Sequence, residues 1–233
     1  MSRKNAVNRS QLRRVMRARR RQLTPQQQAL AARRLMRLLR RQPLFVRSRH
    51  IAFYLASDGE INPAPLLELA WRAGKCCYLP ALARGADGRL RFARYRPGSR
   101  LRPNRYGIPE PAITAGNCLP AAALDLVLLP LVAFDPSGAR LGMGGGYYDR
   151  TFAFKQRLPA QQPYLLGLAH QCQQVEALAT AHWDIPLHAV ATDGGLIPCT
   201  ASANRRNFSP GDRRWQSPKS GERLSKLAIL DSR

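Results

Sequence analysis

The chain has 233 residues, 45% of them hydrophobic, and carries 38 Lys and Arg against 14 Asp and Glu for a formal net charge of +24. No apolar run approaches the roughly 20 residues that cross a bilayer, which excludes a helical membrane span. The five cysteines, at positions 76, 77, 118, 172 and 199, make neither a C-x-x-C pair nor a paired framework, and the four histidines are scattered, which argues against a disulfide scaffold or a zinc site.

The charge is unevenly placed. Residues 1–50 hold 16 basic and no acidic side chains, residues 51–198 hold 14 and 11, and residues 199–233 hold 8 and 3. The middle of the chain is nearly balanced, so the excess belongs to the ends. In the first segment Arg9, Arg13 and Arg17 recur every four residues, with Arg20 and Arg21 beyond, which lines guanidinium groups along one face of a helix. Like charges at that spacing repel unless an anion sits on the stripe, and composition alone reads it first as a solvated or RNA-binding face.

Thr24 followed by Pro25 marks the N-cap and first position of a second helix. Its body, residues 26–41, sets Leu30, Leu35, Leu38 and Leu39 among arginines, an amphipathic pattern suited to packing on a sheet. Residues 50–56 predict a strand. Residues 62–73 predict a helix with Pro63 near its start and Gly74 at its end, and residues 76–79 a second strand. Strand, helix and strand with short links form a βαβ unit, which argues for an α/β class with a parallel-rich sheet. Residues 89–94 alternate basic with apolar and suggest an edge hairpin, and residues 97–120 are rich in turn formers. Residues 163–169 and 188–192 predict two more strands. There is no internal repeat. Residues 1–198 are expected to form one compact domain, burying about 70% of the surface its unfolded chain exposes. Residues 199–233 are expected to be a basic, disordered tail without chemistry of its own.

The junction after residue 126 is the most informative. Val127, Leu128 and Leu129 form an apolar run closed by Pro130, as in a strand covered on both faces. Gly138 and Arg140 then lead into Gly142, Gly144, Gly145 and Gly146, a glycine density that lets backbone amides point at an anion. Tyr147, Tyr148, Asp149 and Arg150 follow, and residues 151–156 predict the helix that the loop feeds, whose amino terminus adds partial positive charge. A glycine-rich loop by itself is as often a plain turn. Here Arg140 and Arg150 bracket it with forked cations, and Asp149 offers a hard carboxylate suited to Mg2+. No Gly-Lys-Ser/Thr follows the glycines, and a dinucleotide fingerprint is met only trivially, so some other phosphate-handling architecture is required.

The string from Val132 to Arg150, with AFD and then RLGMGGGYYDR, resembles the signature of the 5-formyltetrahydrofolate cyclo-ligase family, also called 5,10-methenyltetrahydrofolate synthetase. Other segments agree in order and spacing: RRRQLTPQQQ at residues 19–28, SDGEI at 57–61, WRAGK at 71–75, YLP at 78–80, IPEP at 108–111 and HWDIPL at 182–187, with Thr192 soon after. The resemblance spans roughly residues 9–198.

It implies a single α/β domain of Rossmann-like three-layer architecture that closes 5-formyltetrahydrofolate to 5,10-methenyltetrahydrofolate, splitting ATP to ADP and phosphate through a phosphorylated formyl oxygen. The implied ATP contacts are Arg9, Arg13, Arg140, Leu141, Gly142, Met143, Gly144, Gly145, Gly146, Tyr147 and Tyr148, with Arg140 and Tyr148 catalytic. Leu55, Glu60, Tyr106 and Tyr147 would bind the folate, Glu60 accepting hydrogen bonds from the pterin edge, and Asp149 and Asp184 would hold Mg2+. A cytoplasmic monomer acting on small molecules, with no membrane association, is also implied. The sequence departs from the family pattern in running DGG after Thr192, and in having Met143 and Gly145 where some relatives carry basic residues. A nucleic-acid-binding protein is the competing class, but residues 1–50 contain a single aromatic, Phe45, and no recognisable module. A nucleotide-dependent kinase or ligase acting on another small molecule also stays open.

Overall fold

The computed structural model describes residues 8–82, 87–114, 116–158 and 162–199. The expected tail at 200–233 lies outside the described residues. Helix α1 (Arg9–Arg21) starts at Asn8, whose side chain accepts from the Ser10 amide at 2.9 Å. Helix α2 (Pro25–Leu39) starts at Thr24 as expected and is closed by a reciprocal pair. The Gln27 amide donates to Thr24 Oγ1 at 3.2 Å and the Thr24 amide to Gln27 Oε1 at 2.8 Å. A short α3 (Pro43–Arg47) leads into β1 (His50–Ala52), followed by α4 (Ala64–Arg72) and β2 (Cys76–Leu82). Then come β3 (Leu90–Arg94), a small ribbon of β4 (Leu101–Pro103) and β5 (Pro109–Pro111), β6 (Cys118–Leu119) and β7 (Leu126–Pro130). A second ribbon, β8 (Ala133–Phe134) with β9 (Arg140–Leu141), precedes α5 (Tyr147–Thr151), and β10 (Tyr164–Leu168), β11 (Ala189–Ala191) and β12 (Leu196–Pro198) complete the chain.

Eight strands form one sheet in the order β12-β11-β10-β7-β1-β2-β3-β6. The central five are mutually parallel, and antiparallel strands close both edges. Numbered by their own succession, the parallel strands run 2-1-3-4-5, the doubly wound order in which ligands sit beyond the carboxyl ends of the strands, where the order reverses. Here that point lies between β1 and β7.

Strand residues alternate between two cores. Ile51, Leu126, Leu128 and Leu166 face α2, α4 and Phe45, together with Leu35, Leu39 and Leu66. Ala52, Val127, Leu129 and Leu165 face the other side with Phe92, Phe134, Phe152, Ile185 and Leu187. The α/β class with a parallel-rich sheet between flanking helices is therefore present. The far layer consists of α5, 3-10 turns and packed loops rather than long helices. No helix among the described residues is long and apolar enough to cross a membrane.

Several local expectations are corrected. The first strand is three residues, not seven, although the Phe53 amide still donates to the Tyr78 carbonyl at 2.9 Å before the chain turns away. β3 is not an edge, because β6 pairs beyond it. The helix after the glycine loop begins at Tyr147 rather than residue 151. It breaks at Phe152, which is fully buried with φ −102° and ψ 15°, and continues only as a 3-10 turn. β12 was not expected, and Cys199, assigned to the tail, is buried, with its amide donating to the His188 carbonyl at 3.1 Å.

Candidate active site

Helix α1 lies against the carboxyl ends of the parallel strands and spreads its arginines over three segments remote in sequence. Arg9 Nη1 donates to Asp184 Oδ2 at 3.2 Å, and Arg13 Nε donates to the Gly142 carbonyl at 2.8 Å. Arg17 Nε donates to Asp58 Oδ2 at 2.7 Å, and Arg21 also pairs with the Asp58 carboxylate. Arg20 is fully buried. Its Nη1 reaches the Leu131 carbonyl at 3.0 Å, just beyond β7, while Nε and Nη2 reach the Asp58 carbonyl and Oδ2 at 2.8 and 2.9 Å. One guanidinium thus ties the loop that follows β1 to the end of β7 at the crossover point of the sheet.

The loop at residues 142–146 lies beside the first half of α1. Gly144 (φ +101°) and Gly146 (φ +63°) occupy backbone space that suits only glycine, and the amides of residues 142–146 donate to no acceptor among the described residues. Arg140 stands at the base of this loop with its side chain 7% exposed, paired with Asp149. Its Nη1 is buried without a hydrogen-bond partner, and so is Arg9 Nε. Burial presses the Arg140 pKa below the usual arginine value, and Asp149, Asp184 and Tyr148 oppose that shift. Arg13 is also pushed down, by burial and by Arg9, with Asp184 countering. Two cations and a set of unused amides converge where an anion would satisfy them. Because α5 has only five residues, the arginines rather than a helix dipole supply the positive field.

Arg150, expected to share in phosphate binding, points elsewhere. It donates from Nε to the Gly88 carbonyl at 3.0 Å and from Nη2 to the Gly145 carbonyl at 2.6 Å, pinning the loop from outside. Leu141 offers only its backbone, since its side chain is buried with Met16, Val132 and Ala133, whereas Met143 is exposed at the loop tip.

Glu60 lies on the other side of Tyr148. Its Oε2 accepts from the Ser57 amide at 3.1 Å, and its Oε1 lies 3.7 Å from Arg20 Nη2. Burial raises the Glu60 pKa, while Arg20 and the Ser57 bond hold it down. The Tyr148 hydroxyl is driven far up by burial and by Glu60, with Arg140 opposing, so this phenol is neutral and within electrostatic reach of both the carboxylate and the guanidinium. Its ring stacks on Phe152 at 6.4 Å. Tyr106 and Tyr147 meet at 2.8 Å between hydroxyls, and Arg105, which the sequence reading missed, bonds Tyr147 and lies 5.0 Å from the Tyr106 ring centroid. Leu55 is half-buried against the core.

The two expected metal ligands are close to the same arginines. Asp149 accepts from Arg140 and from the Ile185 amide through Oδ1, and Asp184 accepts from Arg9 and the Ala181 amide through Oδ2. Each therefore keeps one oxygen without a hydrogen bond among the described residues. No group of three or more His, Cys, Asp and Glu is gathered among the described residues. A Mg2+ carried mainly by phosphates and water needs only one or two carboxylates, so the donor set fits.

Comparison with known proteins agrees with this geometry. Residues 5–193 match the 5-formyltetrahydrofolate cyclo-ligase family. The 5-formyltetrahydrofolate cyclo-ligase of Escherichia coli K12 is 45% identical over 178 residues, covering 76% of this chain and 96% of that protein. The Haemophilus influenzae protein of the same name is 46% identical over 140 residues, 60% of this chain and 73% of that one. The solution structure of Aquifex aeolicus 5,10-methenyltetrahydrofolate synthetase superposes with a TM-score of 0.71 at 26% identity, over 89% of this chain and 99% of that one. The chain belongs to the 5-formyltetrahydrofolate cyclo-ligase family and is a cyclo-ligase enzyme.

Proposed function

We propose that the protein converts 5-formyltetrahydrofolate to 5,10-methenyltetrahydrofolate at the expense of Mg-ATP, releasing ADP and phosphate. The observation that carries the nucleotide half is Arg140, nearly buried beneath a loop of unused amides and holding an unpartnered Nη1. A buried donor of this kind costs free energy until an anion meets it, and a triphosphate is the anion whose size matches Arg9, Arg13 and residues 140–148 together.

A formamide oxygen is a poor leaving group. In this reading the oxygen takes the γ-phosphoryl group of ATP, N10 then attacks the activated carbon, and phosphate departs. Such a transfer is accelerated by positioning and charge neutralisation more than by covalent participation of the protein. Arg140 neutralises charge growing on the transferred group. The neutral Tyr148 phenol donates a hydrogen bond between the phosphoryl and folate subsites. Glu60 accepts from the donor-rich pterin edge, a bidentate match for a carboxylate. Leu55, Tyr106 and Tyr147 line the folate side, Tyr147 also standing next to the nucleotide loop. Asp149 and Asp184 would hold Mg2+, directly or through water, and the ion would shield phosphate charge. The five free cysteines accord with a reducing cytoplasmic setting, in which we take the enzyme to act as a monomer.

The test is the near-ultraviolet absorbance of the methenyl product. Purified protein with 5-formyltetrahydrofolate is expected to develop this band only when both Mg2+ and ATP are present. Growth of the band without ATP, or none with both, would refute the proposal.

A further inference from the structure

We infer that Arg20 is a positioning residue for the folate reaction, fixing the loop at residues 58–60 to the end of β7 and holding Glu60 as a carboxylate aimed at the substrate. The inference rests on the reading of Glu60 as the folate contact. Arg20 makes no contact expected of an ATP ligand. Every hydrogen-bond or ion-pair partner of its side chain among the described residues belongs to the crossover point or to the Glu60 loop: the Leu131 carbonyl, the Asp58 carbonyl and carboxylate, and Glu60 itself.

Two features make this more than a structural ion pair. Asp58 adopts φ +52°, a left-handed backbone uncommon for a non-glycine residue though tolerated by Asp, and Arg17, Arg20 and Arg21 on a single helix hold its carboxylate there. Asp58, Gly59 and Glu60 are consecutive, so the conformation fixed at Asp58 sets the direction in which Glu60 leaves the strand end. Gly59 (φ +75°) continues the turn, and a Cβ there would lie 3.3 Å from the Arg20 carbonyl, so helix and loop touch through backbone as well.

The charged groups around Glu60 are few. Arg17 and Arg20 face it from α1, Asp58 and the Ser57 donors from its own loop, Tyr54 from beyond β1, Tyr148 from α5, and His170, set against the Gly59 backbone, from the turn after β10. Burial holds the His170 pKa down and Arg20 adds to that, so any pH dependence that persists in the Glu60→Gln variant belongs to His170. The tyrosines are buried and neutral. Burial and Asp58 favour the protonated acid, whereas Arg20 is the leading opposing influence. Without Arg20, Glu60 would take up a proton at a higher pH, and a protonated acid cannot accept two hydrogen bonds from a pterin edge.

The experiment measures KM for 5-formyltetrahydrofolate and for ATP in the Mg2+-supplied full-length enzyme across the pH range in which each variant stays folded by circular dichroism. Arg20→Gln leaves Asp58 still paired with Arg17 and Arg21, so Glu60 is the one carboxylate that loses its ion-pair partner. Its folate KM is expected to exceed wild type several-fold at the acid end of that range and to converge on it as pH rises, with KM for ATP unchanged throughout. An increase that is equal at every pH, or that appears equally in KM for ATP, would mean Arg20 only supports the fold. Arg20→Lys covers the case in which the glutamine variant does not fold. It keeps the charge and loses the fork, so its folate KM should follow the wild-type pH course, and a shifted course overturns the inference. Glu60→Gln separates the two readings. A raised folate KM independent of pH sustains Glu60 as the contact, whereas an unchanged folate KM removes that contact and the role of Arg20 with it.

Discussion

Replacing Arg140 by Gln separates catalysis from stability at the base of the glycine loop. The side chain is 7% exposed and its partner Asp149 23% exposed, so the variant leaves a largely desolvated carboxylate with only the Ile185 amide at 3.2 Å as a donor. Breaking a buried ion pair from one side costs about 3–5 kcal/mol, and the residual exposure of Asp149 places this case near the lower end. For a domain of this size each kcal/mol lowers Tm by about 2–4 °C, so a loss of about 6–12 °C is expected. If Arg140 also neutralises charge on the transferred phosphoryl group, kcat falls by about 10²–10³ beyond any effect of folding. The double variant Arg140→Gln/Asp149→Asn removes the stranded charge and should recover most of the lost Tm; because it also removes a proposed Mg2+ ligand, kcat is read on Arg140→Gln alone, well below its Tm. Thermal melts followed by circular dichroism and initial rates of methenyl absorbance give the two numbers. A kcat of Arg140→Gln close to wild type at a temperature where the variant is fully folded would show that Arg140 acts only on stability, and the assignment would fall.

Asp184→Asn keeps an oxygen for the Ala181 amide but discharges the partner of Arg9, and the Mg2+ concentration for half-maximal rate should rise about tenfold; an unaltered Mg2+ dependence counts against the metal role. Gly167→Ala in β10 would place a Cβ 2.6 Å from Leu131 Cδ1 and 2.7 Å from Leu187 Cδ1, both in a packed core, and should lower stability by about 1–3 kcal/mol in urea titrations, with no loss signifying that this core yields. Burial pushes the Asp58 carboxyl upward, but the bonds from Arg17, Arg21 and Arg20 outweigh it and leave its pKa at about 2. A depressed pKa means the contribution is present above the ordinary carboxylate range and is lost as pH falls toward 2. Wild type should therefore lose Tm between about pH 4 and 2 more steeply than Asp58→Asn, and parallel slopes would argue against the clamp.

What was legible in the sequence was what local chemistry decides. Thr24 and Pro25 start α2 because capping and a preset φ need no tertiary partner, and the four-residue recurrence of Arg9, Arg13 and Arg17 places them on one side of α1 wherever that helix docks. The glycine loop was legible for the same reason. Arg20 was visible only as one more charge, because its burial depends on a carbonyl at Leu131, 111 residues away. The early start and early end of α5 were missed because Gly146 in a left-handed conformation launches the helix, while Phe152, fully buried beside Tyr148 and Phe154, is drawn out of it into the core. Arg105 gave no signal either, since its role comes from a ribbon whose fold places it against Tyr147. Asp58 could have been flagged by its position before a glycine in a turn, as Asp tolerates left-handed backbone better than most residues.

The net charge acquires a different meaning once α1 is placed. A helix with arginines at 9, 13, 14, 17, 19, 20 and 21 and no acid of its own is poorly stable in isolation, since its like charges lie three and four residues apart. It holds because five of the seven find partners elsewhere: Asp184, the Gly142 carbonyl, Asp58 with Arg17, Arg20 and Arg21. A sixth, Arg19, reaches the Cys172 carbonyl at 3.3 Å. A solvated nucleic-acid-binding face would leave these guanidinium groups directed outward, whereas here most of the stripe is engaged with the catalytic domain. The orphaned donors lie at the phosphate end, Arg9 Nε and Arg140 Nη1, so the charge remaining for a ligand is concentrated at the loop and not spread along the helix. A single rigid helix therefore carries the nucleotide arginines at one end and the clamp on the folate loop at the other, and a substitution anywhere along it bears on both substrates unless, as with Arg20, the side chain reaches only one of them.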